Sequence, residues 1–164
     1  VARALNILRA GCVASTGRIA TMLTRKDWTL LAIAAAKLKG LSPVQLQKTL
    51  FLLGREMPEA VGRDFYDFTA YHYGPFDRAV YTDAEELAVA GEVEVTQRAG
   101  ENWNRYLVTR EGEIRASYLE REVPQAAKYL DELLDWVLRQ TFQGLVTAIY
   151  AKYPEMRANS VFQG

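Results

Sequence analysis

A chain of 164 residues, 49% apolar and 24% charged, favours one compact domain, or one domain with an appendage. No apolar run reaches the ~18–20 residues a membrane-spanning helix needs, and one cysteine cannot build an internal disulfide scaffold. One histidine and one cysteine supply no zinc set, so neither a metal nor a cofactor is expected.

The net charge of zero conceals an uneven distribution. Residues 1–26 hold Arg3, Arg9, Arg18, Arg25 and Lys26 and no acid, whereas residues 27–164 hold 15 basic and 20 acidic side chains. A basic arm on an acidic body suits nucleic-acid contact or targeting. Arg9 interrupts residues 4–13, the one stretch resembling a signal core, and spoils the lipoprotein-like Ala10-Gly11-Cys12. The arm therefore reads as untargeted, with at most a loose helix over 5–8, and a cytoplasmic protein is expected. A native start at Met22 is the other reading, since patterning begins only at Asp27.

Trp28, Leu31, Ala35 and Leu38 recur at three- and four-residue spacing, with Leu30, Ile33 and Ala34 widening the face. They predict a helix over 28–39, closed by Gly40. Ser42, Pro43 and Gln45 then form a capping box with proline at the first helical position. A second helix over 43–55 follows, burying Leu46, Leu50 and Leu53 with Phe51 beside them. Pro58 and Gly62 mark a loop. The aromatic stretch from Phe65 to Tyr73 predicts a short strand, and Gly74-Pro75 a turn. Asp77 can cap a helix, and Thr82 with Glu85 a second one, so 77–90 is expected as one kinked or two short helices. Their apolar set is Val80, Leu87 and Val89, ending at Gly91.

Residues 92–96 alternate, as do 105–109 in part, and Arg98-Ala99-Gly100-Glu101-Asn102 separates them. This predicts a hairpin pairing 93–97 with 104–108. Thr109 caps a helix over 110–121 through Ile114, Tyr118 and Leu119. Pro124 opens another over 124–139, whose face is Tyr129, Leu130, Leu133, Leu134, Val137 and Leu138. Gly144 weakens the continuation, and Leu145, Val146, Ile149 and Tyr150 restart a helix that Pro154 ends. The order predicts an α+β, mostly α chain: a winged helix-turn-helix over 27–121 with a two-stranded wing. A helical extension over 122–164 packs on it or forms a homodimer contact. Tyr106-x-x-Thr109-x-x-Gly112 after the hairpin strengthens that reading.

Catalytic inventory is sparse. His72 has no nucleophile or carboxylate fixed near it by sequence and reads as a core or rim histidine. Glu85-Glu86 and Glu120-x-Glu122 are adjacent rather than opposed, and no glycine cluster cradles a phosphate. The chain reads as a non-enzyme. A winged helix invites DNA, but the helix in the recognition position carries Arg78 against Asp77, Asp83, Glu85 and Glu86, which phosphates would repel. Arg98, Trp103 and Arg105 on the wing are the DNA-binding candidates, offset by Glu92, Glu94 and Glu101. A protein partner is favoured over nucleic acid, with weak contact through wing or arm as the alternative.

Three stretches carry a family resemblance. Leu46-Gln47-Lys48-Thr49-Leu50-Phe51-Leu52, Tyr73-Gly74-Pro75-Phe76 with Val80-Tyr81, and Tyr153-Pro154-Glu155 with Asn159-Ser160-Val161-Phe162 resemble the Panacea (SocA-like antitoxin) domain family and its YwgA-like relatives. The chain has Thr69-Ala70-Tyr71-His72 where that family often carries a tryptophan. The resemblance implies a small bacterial or phage protein that neutralises a toxin or delivers it to a protease, without catalytic residues. It also implies that Lys48, Tyr73, Gly74 and Pro75 converge. A groove between helices 43–55 and 77–90 would then present Lys48 and Arg78 with Tyr71, His72 and Tyr81. Tyr73 and Phe76 buried as wedges of the turn is the competing reading. Lys48 itself is expected to face outward or lie across a rim.

Overall fold

The computed structural model describes residues 22–162, and the expectations for residues 1–21 lie outside it. Among the described residues the chain is α+β and mostly helical, with two two-stranded antiparallel sheets. Helices α1 (Arg25–Ala35), α2 (Pro43–Glu56) and the short α3 (Pro58–Val61) precede strands β1 (Thr69–Tyr71) and β2 (Gly74–Phe76). Helix α4 (Arg78–Val89) leads to β3 (Val93–Thr96) and β4 (Arg105–Val108). Helices α5 (Arg110–Glu122), α6 (Pro124–Val137) and α7 (Phe142–Lys152) complete the order, with 3₁₀ turns at Lys37–Lys39 and Pro154–Arg157.

Helix α1 is the centre of the core. Trp28, Leu30, Leu31 and Ile33 are buried, and α2, α4, α5, α6 and β4 pack around it. A helix that is apolar on nearly every side is stable only when surrounded in this way. It starts ahead of Asp27 because Thr24 and Asp27 make a capping box, Thr24 N donating to Asp27 Oδ2 at 2.8 Å. Hydrophobic periodicity cannot register a start set by two polar side chains. Arg25 and Lys26 are thereby helical and pair with Asp83 and Glu86 of α4. Helix α1 also ends early: Lys37 takes φ +53, and the 3₁₀ turn rotates Leu38 into solvent rather than into the stripe. At Gly40 (φ +62) a Cβ would lie 2.8 Å from Tyr106 O, which accepts from Leu41 N at 2.9 Å.

The first hairpin corrects the sequence reading. Its turn is His72-Tyr73, and Gly74 and Pro75 belong to the return strand, paired Tyr71 to Gly74 and Ala70 to Pro75. Only residues 69–71 of the aromatic stretch are strand; Tyr66 is buried, with Phe65 and Phe68 packed partly buried against the core. Helix α4 is one uninterrupted helix capped by Asp77, whose Oδ1 accepts from Ala79 N at 2.8 Å. Thr82 therefore lies mid-helix and caps nothing, and Val89 is exposed.

The second hairpin pairs Val93 with Val108 and Thr96 with Arg105, in the expected register. Thr109 Oγ1 caps α5 by accepting from Gly112 N at 3.1 Å. Gly112 is required there, because a Cβ would sit 2.0 Å from the backbone oxygen of Glu92. Helix α5 turns Gly112 and Ala116 inward and leaves Ile114 and Tyr118 exposed, contrary to the apolar run expected. Helix α7 begins at Phe142 rather than after Gly144, since Thr141 caps it on Gly144 N at 3.0 Å. The apolar faces of α6 and α7 join the same core as α1 and α2. No described helix is long and apolar enough to cross a membrane.

Candidate functional site

The three stretches that carry the resemblance are far apart in sequence and meet at the first hairpin. Helix α2 directs two consecutive polar side chains at it. Gln47 is buried and matches the backbone of Asp77, its Oε1 accepting from Asp77 N at 3.0 Å and its Nε2 donating to Asp77 O at 2.8 Å. Lys48 Nζ donates to Pro75 O at 2.9 Å. Lys48 is only 4% exposed, so its outward placement is overturned. With no carboxylate bonded to it, burial pushes its amine down to about 7. Gly74 takes φ +93, a left-handed conformation that favours glycine, beside Lys48 and the Tyr150 ring. The lysine acts as an internal clamp on a strand whose proline has no N–H to give.

The chain end secures the other edge. Asn159 Nδ2 donates to Ala70 O at 3.0 Å and Val161 N to His72 O at 3.0 Å, so this segment runs along β1. Tyr150, buried on α7, hydrogen-bonds Ser160 Oγ at 2.8 Å. The hairpin is thus held by α2 beneath it and by the chain end beside it.

Its tip is aromatic. Tyr71 and Tyr73 remain 48% and 45% exposed. Tyr71 stacks on His72 with centroids 4.2 Å apart and leans on Phe76 at 5.0 Å, and Phe76 meets Tyr81 at 5.7 Å. On the other side Tyr73 meets Phe142 edge-on at 5.3 Å, and Phe142 meets Phe162 at 6.1 Å. Arg78 is exposed beside this face and has no ion-pair partner among the described residues. The predicted partner-binding set therefore separates into two layers. Lys48, Gly74 and Pro75 lie inside as support, while Tyr71, His72, Tyr73 and Arg78 are displayed, with Tyr81 half-buried between them. Neither tyrosine-turn residue is a buried wedge: Tyr73 is open and Phe76 half-covered. Sequence reasoning missed Gln47, Tyr150, Phe142 and Phe162 as parts of the site. The polar pair Gln47-Lys48 in the middle of an apolar helix was the available signal.

On the β3–β4 hairpin, both arginines are engaged. Arg98 Nη2 donates to Lys39 O at 2.9 Å and Leu38 O at 3.3 Å, closing the 3₁₀ turn. Arg105 grips Glu101 through two nitrogens, at 2.8 and 2.5 Å, and holds that carboxyl below its usual range. Trp103 is exposed at the rim of a cleft of about 230 Å³ shared with Ser42, Gln45, Phe142 and Leu145. The acidity of α4 is also smaller than its composition suggests. Asp83 is buried against Arg25 and Tyr66, with bonds of 2.8 and 2.6 Å, and Glu86 pairs with Lys26. Among the described residues no group of three or more His, Cys, Asp or Glu side chains is placed to hold a metal ion. Comparison with protein-family models and with curated proteins finds no match for this chain.

Proposed function

We propose that this chain is a winged-helix protein-binding domain, non-enzymatic and antitoxin-like, which seats a partner protein on the aromatic face of its first hairpin. The observation that carries the reading is the display of Tyr71, His72 and Tyr73 at the tip of a hairpin whose return strand is held from within by Lys48 and whose exit is held by Gln47. Rigid rings with few rotors lose little entropy on binding, and a braced turn adds almost no ordering cost. Arg78 beside the rings supplies the other side chain favoured at interface centres. The wing reading rests on helices α1, α2 and α4 followed by the β3–β4 hairpin and the returning α5. A DNA-binding regulator is less well supported, because the guanidinium groups of Arg98 and Arg105 already have partners.

The test is to co-express the chain with the protein encoded by the adjacent gene and measure the complex by calorimetry. Tyr73→Ala and Arg78→Ala should each weaken binding by about 1–2 kcal/mol while leaving the melting temperature nearly unchanged. Normal binding by both variants would remove this face as the site. Tight binding to duplex DNA instead, falling steeply with salt, would favour the regulator.

A further inference from the structure

Helix α5 carries an outward stripe that the candidate site does not use. Glu111, Ile114, Tyr118 and Arg121 follow one another at spacings of three, four and three, the repeat of a helix–helix seam. All four are exposed, Ile114 by 51% and Tyr118 by 61%, while Gly112 and Ala116 face inward. Glu111 and Arg121 have no ion-pair partner among the described residues. Arg121 lies over the Tyr118 ring at 5.2 Å, which orients its guanidinium along the stripe.

The stripe is complementary to its own reversal. Glu111 and Arg121 stand equally far from Ala116, as do Ile114 and Tyr118. We propose that α5 is a self-association face, on which a second copy of this chain packs antiparallel about a two-fold axis level with Ala116. Glu111 then meets the second copy's Arg121, and Ile114 meets the second copy's Tyr118, each contact occurring twice. A parallel pair would set Glu111 against Glu111 and Arg121 against Arg121, so the charges select one orientation. Ser117, beside the axis, is small enough to let the helices approach. Arg115 flanks the seam but is already paired with Asp27 and Glu92, so two copies of it add no free positive charge. One helix face per copy is a small interface, well under the roughly 1,600 Å² of a standard one, and fits a weak, reversible dimer.

Sedimentation equilibrium of the full chain at low salt, from about 10 µM to 1 mM, tests this directly. Wild type should pass from monomer to dimer across that range. Glu111→Arg and Arg121→Glu should each weaken association at least tenfold, because like charges meet twice. Combining the two reversals should restore association to within about threefold of wild type. That recovery, together with unchanged melting curves for exposed positions, separates lost pairing from lost folding. A wild type that stays monomeric to 1 mM overturns the proposal. So do single variants that associate like wild type, and a double variant no better than either single.

Discussion

Hairpins β1–β2 and β3–β4 are both short antiparallel pairs, and they are anchored in different ways. Strands of three residues make too few ladder bonds to persist alone, so β1–β2 takes its stability from outside the ladder. Lys48, Asn159 and Val161 bond its backbone, and Gln47 fixes Asp77 where the chain leaves β2; Gln47 and Lys48 are buried. The β3–β4 pair is four residues long and sends Val93 and Tyr106 into the core, with Leu41 bridging to Tyr106. Its tip is held by hydrogen bonds from Arg98 to the carbonyls of exposed Leu38 and Lys39 and by the half-buried ion pair of Arg105 with Glu101. Buried hydrogen bonds are costly to break, because each orphaned group keeps its desolvation penalty, while exposed ones are replaced by water. The first hairpin is therefore a rigid platform for exposed rings, and the β3–β4 tip is the more yielding of the two.

The widest gap between the two hairpins should come from Gln47→Ala. It leaves Asp77 N without its acceptor, while Asp77 O keeps its bond from Val80 N, and it opens a cavity beside α2, so urea denaturation should show a loss of about 2–3 kcal/mol. A loss under about 0.5 kcal/mol would mean that water takes over the amide's role and that the platform is not rigid.

Lys48 sharpens the contrast through pH. Its amine titrates at about 7 in the folded chain against 10.5 unfolded, so between those values the unfolded state binds more protons. Stability should therefore rise with pH from 7 toward 10, by at most about 1.4 kcal/mol per pH unit from this group. Tyr66, Tyr129 and Tyr153, held high by burial, oppose this only above about pH 10, where their unfolded forms ionise first. Lys48→Met should flatten the rise between pH 7 and 9. An unchanged slope in that variant would show that the buried amine is not its source.

The smallest effect belongs to the β3–β4 tip. Arg98→Ala removes two bonds to exposed carbonyls and should cost less than about 1 kcal/mol, with faster amide exchange confined to residues near the tip. A cost as large as that of Gln47→Ala would erase the distinction between the hairpins.

Much of this was legible in the residues. The capping box of Ser42 and Gln45 and the starts of α5 and α6 depend on groups within a few residues of each other, and the register of β3–β4 on two alternating stretches joined by one short loop. Local hydrogen bonds and hydrophobic periodicity report such features directly. The aromatic tip at Tyr71, His72 and Tyr73 was likewise recognised as a candidate site. What only the tertiary structure decided is where long side chains go. Lys48 could extend into solvent or reach inward, and the choice depends on Pro75 O, 27 positions away, which accepts its hydrogen bond. Arg25 and Lys26 read as arm cations until Asp83 and Glu86 came beside them across α1 and α4. Leu38 fits an apolar stripe on paper and is exposed because α1 ends at Ala35 and a 3₁₀ turn carries it outward, and Val89, the last residue of α4, has no segment packed over it. Sequence spacing sets which residues share a helix face; which partner that face meets is fixed only when distant segments pack together.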